Sequence, residues 1–123
     1  MTDPRETLAR IRAQADAATE GPWRYASIFE VGGYVEDSRG RELFDWAQDD
    51  AGTICTPDAD AEFIAASRTT VPALLDALDA AIRVHHLSEF HTFTGPVPWC
   101  DECDCTYPCP TVDAITTALE ATK

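Results

Sequence analysis

Four of the five cysteines of this chain fall within ten residues, in Trp99-Cys-Asp-Glu-Cys-Asp-Cys-Thr-Tyr-Pro-Cys-Pro110. Cys100 and Cys103 form a C-x-x-C pair, and Cys109 follows after five further residues. At 123 residues the chain has room for one domain with a modest core. A metal held by thiolates would fix a segment that has little apolar surface to bury. Closely spaced cysteines in a reducing compartment serve as metal ligands more often than as disulfides. Residues 99–110 are therefore expected to be a structural zinc knuckle.

Tetrahedral zinc takes four nitrogen or sulfur ligands, and structural sites are closed by thiolates and imidazoles. Cys100, Cys103 and Cys109 supply three. Pro110 suits the first helical position, which makes Cys109 the cap of a last helix over 110–121 with Val112, Ile115 and Leu119 on its apolar face. A thiolate there is favoured by the helix dipole and the free N–H groups. The fourth ligand is assigned to His85, at the end of the preceding helix, with His91, His86 and Cys105 as the alternatives. Four protein ligands leave no position open for water, so the metal is expected to be structural and not catalytic. A thioredoxin-like redox pair would sit in a βαβ pattern, which the chain lacks. Cys55, far from the knuckle, reads as a small buried apolar residue.

The rest of the chain reads as one α+β domain over 1–123, with four helices packed on a small antiparallel β-meander. Leu8, Ile11, Ala15 and Ala18 form one stripe of a helix over 4–19, capped by Asp3-Pro4 and stopped by Gly21-Pro22. Residues 23–56 are rich in aromatic and β-branched residues broken by Gly32-Gly33 and Asp37-Ser-Arg-Gly40, which predicts three or four short strands. Glu42 to Trp46 and Thr53 to Cys55 are the last of these, and Asp49-Asp50 is a solvated loop pair. Helices are expected over 58–67, with Phe63, Ile64 and Ala66 buried, and over 70–86, restarted by Thr69-Thr70 and Pro72. Val71, Leu74, Leu75, Leu78, Ile82 and His85 make one stripe of the second. Residues 87–99, with Pro96 and Pro98, read as a loop.

The net charge of −13 is unevenly placed. Residues 1–44 carry six arginines against eight acids, and residues 45–123 carry three basic residues against fourteen acids. Such a surface repels phosphate backbones, which disfavours direct nucleic-acid binding and favours partner proteins with a basic surface. The apolar runs fall far short of the ~20 residues of a membrane span. The first residues show no signal-peptide pattern, so a cytoplasmic location is expected. No Ser/His/Asp set and no His-x-Glu deaminase pattern is present, so an enzyme is not expected.

Ile11-Arg-Ala-Gln-Ala-Asp-Ala-Ala-Thr-Glu-Gly-Pro-Trp23 and Asp60-Ala-Glu-Phe-Ile-Ala-Ala-Ser-Arg-Thr-Thr-Val-Pro-Ala-Leu-Leu75, with His85 and Cys100 to Thr111, resemble a family of small uncharacterised proteins. These are common in actinobacteria and their temperate phages, and are similar in part to the ead-like early-region proteins of lambda-type phages. The resemblance implies a phage or prophage accessory protein, acting in the host cytoplasm on a host protein. Cys105 and the doubled His85-His86 depart from the family's pattern, which leaves the fourth ligand open. The alternative function is a nucleotide-binding or sequestering protein, with Arg24, Arg39 and Arg41 holding phosphates. Trp23, Tyr25, Tyr34 and Trp46 are candidate interface anchors, although core packing is the commoner role of such residues.

Overall fold

The computed structural model describes residues 3–27, 33–43 and 58–122. Helix α1 (Pro4–Ala17) begins where Asp3 accepts the Arg5 N–H on Oδ1 at 2.9 Å and the Glu6 N–H on its carbonyl at 3.0 Å. Pro4 fills the first helical position, whose N–H would have no partner anyway. The helix stops at Ala17, two residues before the expected end. The Thr19 carbonyl then accepts Trp23 Nε1 and Arg68 Nε, each at 3.0 Å. Gly21 permits this approach, since a Cβ there would lie 2.8 Å from Arg68 Cγ.

Strands β1 (Arg24–Ser27) and β2 (Gly33–Glu36) pair antiparallel, with Arg24 opposite Glu36 and Tyr25 opposite Val35. Buried Asp37 organises the turn that follows. Its Oδ1 accepts the N–H groups of Arg39 and Arg41 at 2.9 Å, and its Oδ2 accepts Arg41 Nε at 3.1 Å. The Arg41 N–H, with the Arg39 N–H and the Arg41 guanidinium, outweighs burial and holds this carboxyl below its usual range. Gly40, at φ +79°, takes the left-handed position of the turn.

Helix α2 (Asp58–Val84) is continuous through 27 residues, with Pro72 inside it. This corrects the expectation of separate helices over 58–67 and 70–86, and among the described residues there are three helices, not four. Proline removes one i→i−4 hydrogen bond but its φ suits a helix. Ser67, at the expected break, donates back to the Phe63 carbonyl at 2.7 Å, a bond made within a helix. The apolar face also persists across the proline, through Ala61 and Ala65 before it and Leu75 and Ile82 after it. Phe63 and Leu74, assigned to buried faces, are 75% and 57% exposed, and Ala66 is exposed too.

Among the described residues the single β-meander is likewise replaced by two small antiparallel sheets, so the architecture is α+β with a different layout. The first is β1–β2, to which Glu42 adds one isolated bridge with Glu36. Leu43 follows it, donating its N–H to the Val35 carbonyl at 3.1 Å, while residues 44–46 of the expected strand, the Asp49-Asp50 loop and the Thr53–Cys55 strand lie outside the described residues. The second sheet holds β3 (Leu87–Thr92), β4 (Gly95–Cys100) and β5 (Cys105–Thr106) in that order, where a loop was expected. Helix α3 (Pro110–Glu120) follows.

The chain forms two compact units. In Ala13–Ala73, Val35, Ala61 and Ala65 are buried together, with Trp23, Tyr25, Leu43 and Ile64 packed against them. In Met1–Arg12 with Leu74–Lys123, the buried residues include Leu8, Leu75, Ile82, Cys100, Cys109 and Val112. Arg12 joins two parts of this unit by donating to Asp76 and Asp79, each at 2.9 Å. No helix among the described residues is long and apolar enough to cross a membrane.

Candidate metal centre

Helix α2 ends at Val84, and the His85 N–H still bonds the Ala81 carbonyl at 3.2 Å. Two residues later β3 begins, with Leu87 directly opposite Cys100. That register brings the last residue of β4 back to the helix end. A turn over 101–104 carries Cys103, with Asp104 at φ +53°, a left-handed conformation that aspartate tolerates. Cys105 then pairs with Cys100, and the Tyr107 N–H donates to the Pro98 carbonyl at 3.0 Å. Cys109 caps α3 in an extended conformation (φ −76°, ψ 167°), with Pro110 at the first helical position.

These elements gather one nitrogen and three sulfurs. His85 Nδ1 lies 3.7 Å from Cys100 Sγ, 3.3 Å from Cys103 Sγ and 3.6 Å from Cys109 Sγ. All four ligand atoms lie within 4.8 Å of one another, so one metal ion can be reached by all of them. Cys100 and Cys109 are buried, His85 is half-buried and Cys103 is at the surface.

The thiols perturb one another. Cys103 is exposed as a residue, yet desolvation around its sulfur, followed by the thiols of Cys109 and Cys100, pushes it up to about 12. At Cys109 burial raises the pKa, but the Val112 N–H, the Cys100 and Cys103 thiols and the Thr111 N–H bring it below the ordinary thiol value. Those helix N–H groups make no formed cap hydrogen bond to the sulfur; their dipoles favour its charge without that geometry. Without a cation the cluster thus favours the Cys109 thiolate and opposes that of Cys103, a conflict that a divalent ion would relieve.

The other candidates stand apart from the ligand set. Cys105 packs against Cys100, Cys109 and Val112, and its thiol is raised by desolvation and then by the charges of Cys109 and Cys100. His86 and His91 are exposed, His91 on β3. Of the arginines proposed for phosphate, Arg24 is paired with Glu36 and Arg41 with Asp37. Trp23 and Tyr25 pack against the core of their unit, Tyr34 is half-buried, and Trp46 lies outside the described residues.

Sequence reasoning missed the β3–β4 hairpin that positions Cys100. Its signals were the aromatic and β-branched residues of 87–99 and the glycine at Gly95, here at φ +117°. Pro96 and Pro98 argued against a strand, but both sit where no N–H is needed. The Pro98 carbonyl points to Tyr107, so residues 96 and 98 direct their backbone groups away from β3. No family model, curated protein or solved structure matches the chain.

Proposed function

We propose that this chain is a zinc-stapled, non-enzymatic interaction protein whose acidic surface meets a basic surface on a partner protein. The spacing of the four ligand atoms carries the reading. Zinc bonds of ~2.0–2.1 Å to imidazole nitrogen and ~2.3 Å to thiolate, at tetrahedral angles, place nitrogen about 3.5–3.6 Å from each sulfur. The distances from His85 Nδ1 are 3.7, 3.3 and 3.6 Å. Three soft thiolates and one imidazole suit zinc better than the oxygen-seeking magnesium or calcium. The closed ligand set leaves no site for an activated water, which argues for a staple and against hydrolytic chemistry.

The staple ties the end of α2, the β4–β5 turn and the start of α3. Between residues 84 and 122 there are six acids and no lysine or arginine. A zinc ion with three thiolates and one neutral imidazole adds about one further negative charge. That surface favours basic proteins and disfavours nucleic acid. The resemblance of 11–23, 60–75 and the knuckle to proteins of actinobacterial phages supports a phage or prophage accessory role, with a host protein as the partner. The nucleotide reading has no comparable support, since Arg24 and Arg41 are already neutralised by carboxylates.

Native mass spectrometry of protein purified without added metal tests the staple, with circular dichroism before and after a chelator. The expected result is one zinc per chain, lost together with part of the folded signal. Protein that folds without metal would remove the basis of the reading.

A further inference from the structure

Three facts single out the outer edge of β3. First, β3 is terminal in its sheet, so among the described residues one side of Leu87–Thr92 has no strand beside it. The Tyr107 N–H to Pro98 carbonyl bond sets the phase of β4, and pairing carries that phase to β3. Leu87, Glu89 and His91 therefore turn their N–H and C=O groups outward, while Ser88, Phe90 and Thr92 turn theirs to β4. The comparable outward positions of β4 are Pro96 and Pro98, which lack an N–H. The β4 side is blunted against strand addition and the β3 side is not.

Second, the two faces beside that edge differ. Phe90 and Trp99 stack at 4.9 Å on one face with Val97. On the other, Glu89 stands among Leu87, Pro96 and Pro98 at a groove of about 370 Å³. An apolar wall ending in a carboxylate fits the stem and head of a long cationic side chain. Third, Glu89, Asp101, Glu102 and Asp104 are all exposed, and no lysine or arginine lies between 84 and 122 to compensate them.

We propose that the outer edge of β3 receives an extended, arginine- or lysine-bearing segment of a partner protein as an added antiparallel strand. In that pairing the residues opposite Leu87, Glu89 and His91 donate N–H to the edge. Their side chains enter the groove beside Glu89, and the alternate residues lie over Phe90 and Val97. A second copy of this chain fits poorly. The antiparallel register that sets the outward positions Leu87, Glu89 and His91 of one copy against His91, Glu89 and Leu87 of another puts Glu89 opposite Glu89, a like-charge pair between two chains of −13. The proposal rests on the interaction-protein reading and locates where the basic partner binds.

The test uses the full zinc-loaded chain and a fluorescent peptide of about seven residues alternating arginine and valine, long enough to span one strand. Fluorescence polarisation is expected to show binding that weakens as salt is raised from about 50 to 300 mM. N-methylation of the arginine amides is expected to abolish binding, and N-methylation of the valine amides to leave it within about twofold, because only the former face the edge. His91→Pro, at an outward-facing amide, is expected to weaken binding at least about tenfold with zinc content and circular dichroism unchanged. Salt-sensitive binding that ignores both N-methylation and His91→Pro would overturn the strand edge while leaving the acidic-surface reading standing. No binding at either salt concentration would overturn both. A peptide-independent dimer blocked by His91→Pro would give the edge to a second copy and overturn the proposal.

Discussion

Replacing Cys109 by serine separates the metal from everything else at that position. Serine is among the best helix caps, so Cys109→Ser keeps or improves the start of α3 while removing a thiolate. Structural zinc contributes about 10–16 kcal/mol at neutral pH. Shared among four ligands, that is about 2.5–4 kcal/mol each, or two to three orders of magnitude in affinity. Competition against a chromophoric chelator is expected to show a loss of that size for Cys109→Ser. The same loss is expected for His85→Ala, Cys100→Ser and Cys103→Ser, the other members of the cluster. Cys105→Ser and His91→Ala are expected to change affinity by no more than about twofold, as peripheral substitutions do. Cobalt substitution gives an independent reading, because thiolate-to-metal charge-transfer intensity counts the sulfurs and should drop by a third in each cysteine-ligand variant. Undiminished charge transfer in Cys109→Ser, or a Cys105→Ser loss equal to it, would refute the assignment of these four ligands.

Three further outcomes are expected. Ile82→Ala, at a residue 2% exposed, should cost about 2–5 kcal/mol in urea unfolding, whereas Leu74→Ala, on the same stripe but 57% exposed, should cost under about 0.5 kcal/mol; equal losses would mean that the buried side of α2 is wrongly placed. Pro72→Ala restores the N–H that α2 lacks, so the urea midpoint should rise by the equivalent of about 1–3 kcal/mol, and a fall would show that the proline is needed in place. Asp37 is held below its usual range by the Arg41 N–H first, so its contribution is present above the unfolded value of ~3.9 and lost as pH falls through the folded one. Asp37→Asn should therefore flatten the acid limb of the stability profile below about pH 4, and an unchanged limb would place acid sensitivity elsewhere.

The knuckle and α3 were legible because their signals are local: cysteine spacing, and a proline one residue after a candidate cap. His85 could be placed from periodicity alone, since i+14 on the α2 stripe holds whether or not the helix is broken upstream. The break itself misled. Thr69, Thr70 and Pro72 favour a helix start, and their place inside α2 depends on burial of Ala61, Ala65, Leu75 and Ile82, which is tertiary information. The hairpin was hidden by Pro96 and Pro98, whose tolerance depends on the phase of hydrogen bonding and cannot be read from composition. Phe63 and Leu74 show the same limit, for an apolar stripe states which side of a helix can be buried and not how far burial extends.

Metal binding at the cluster would not be independent of the proposed β3 edge. Leu87, the first outward-facing residue of β3, is opposite Cys100, and His85 is two residues ahead of it. Closing the cluster on a metal would therefore fix one end of the strand whose outer edge has no partner strand among the described residues. The apolar material buried at that end is Cys100, Cys109 and Val112, and one fully buried valine is worth only about 1.5–3 kcal/mol. A structural zinc, at about 10–16 kcal/mol, would be the larger contribution, so the register of β3 on β4 would follow the state of the metal more than the packing around it. By reciprocity, any partner that binds β3 only when it is paired with β4 must tighten zinc by the same factor that zinc tightens the partner. With a metal bound, an acidic segment with few buried side chains would in this way present a rigid strand without a large core to support it.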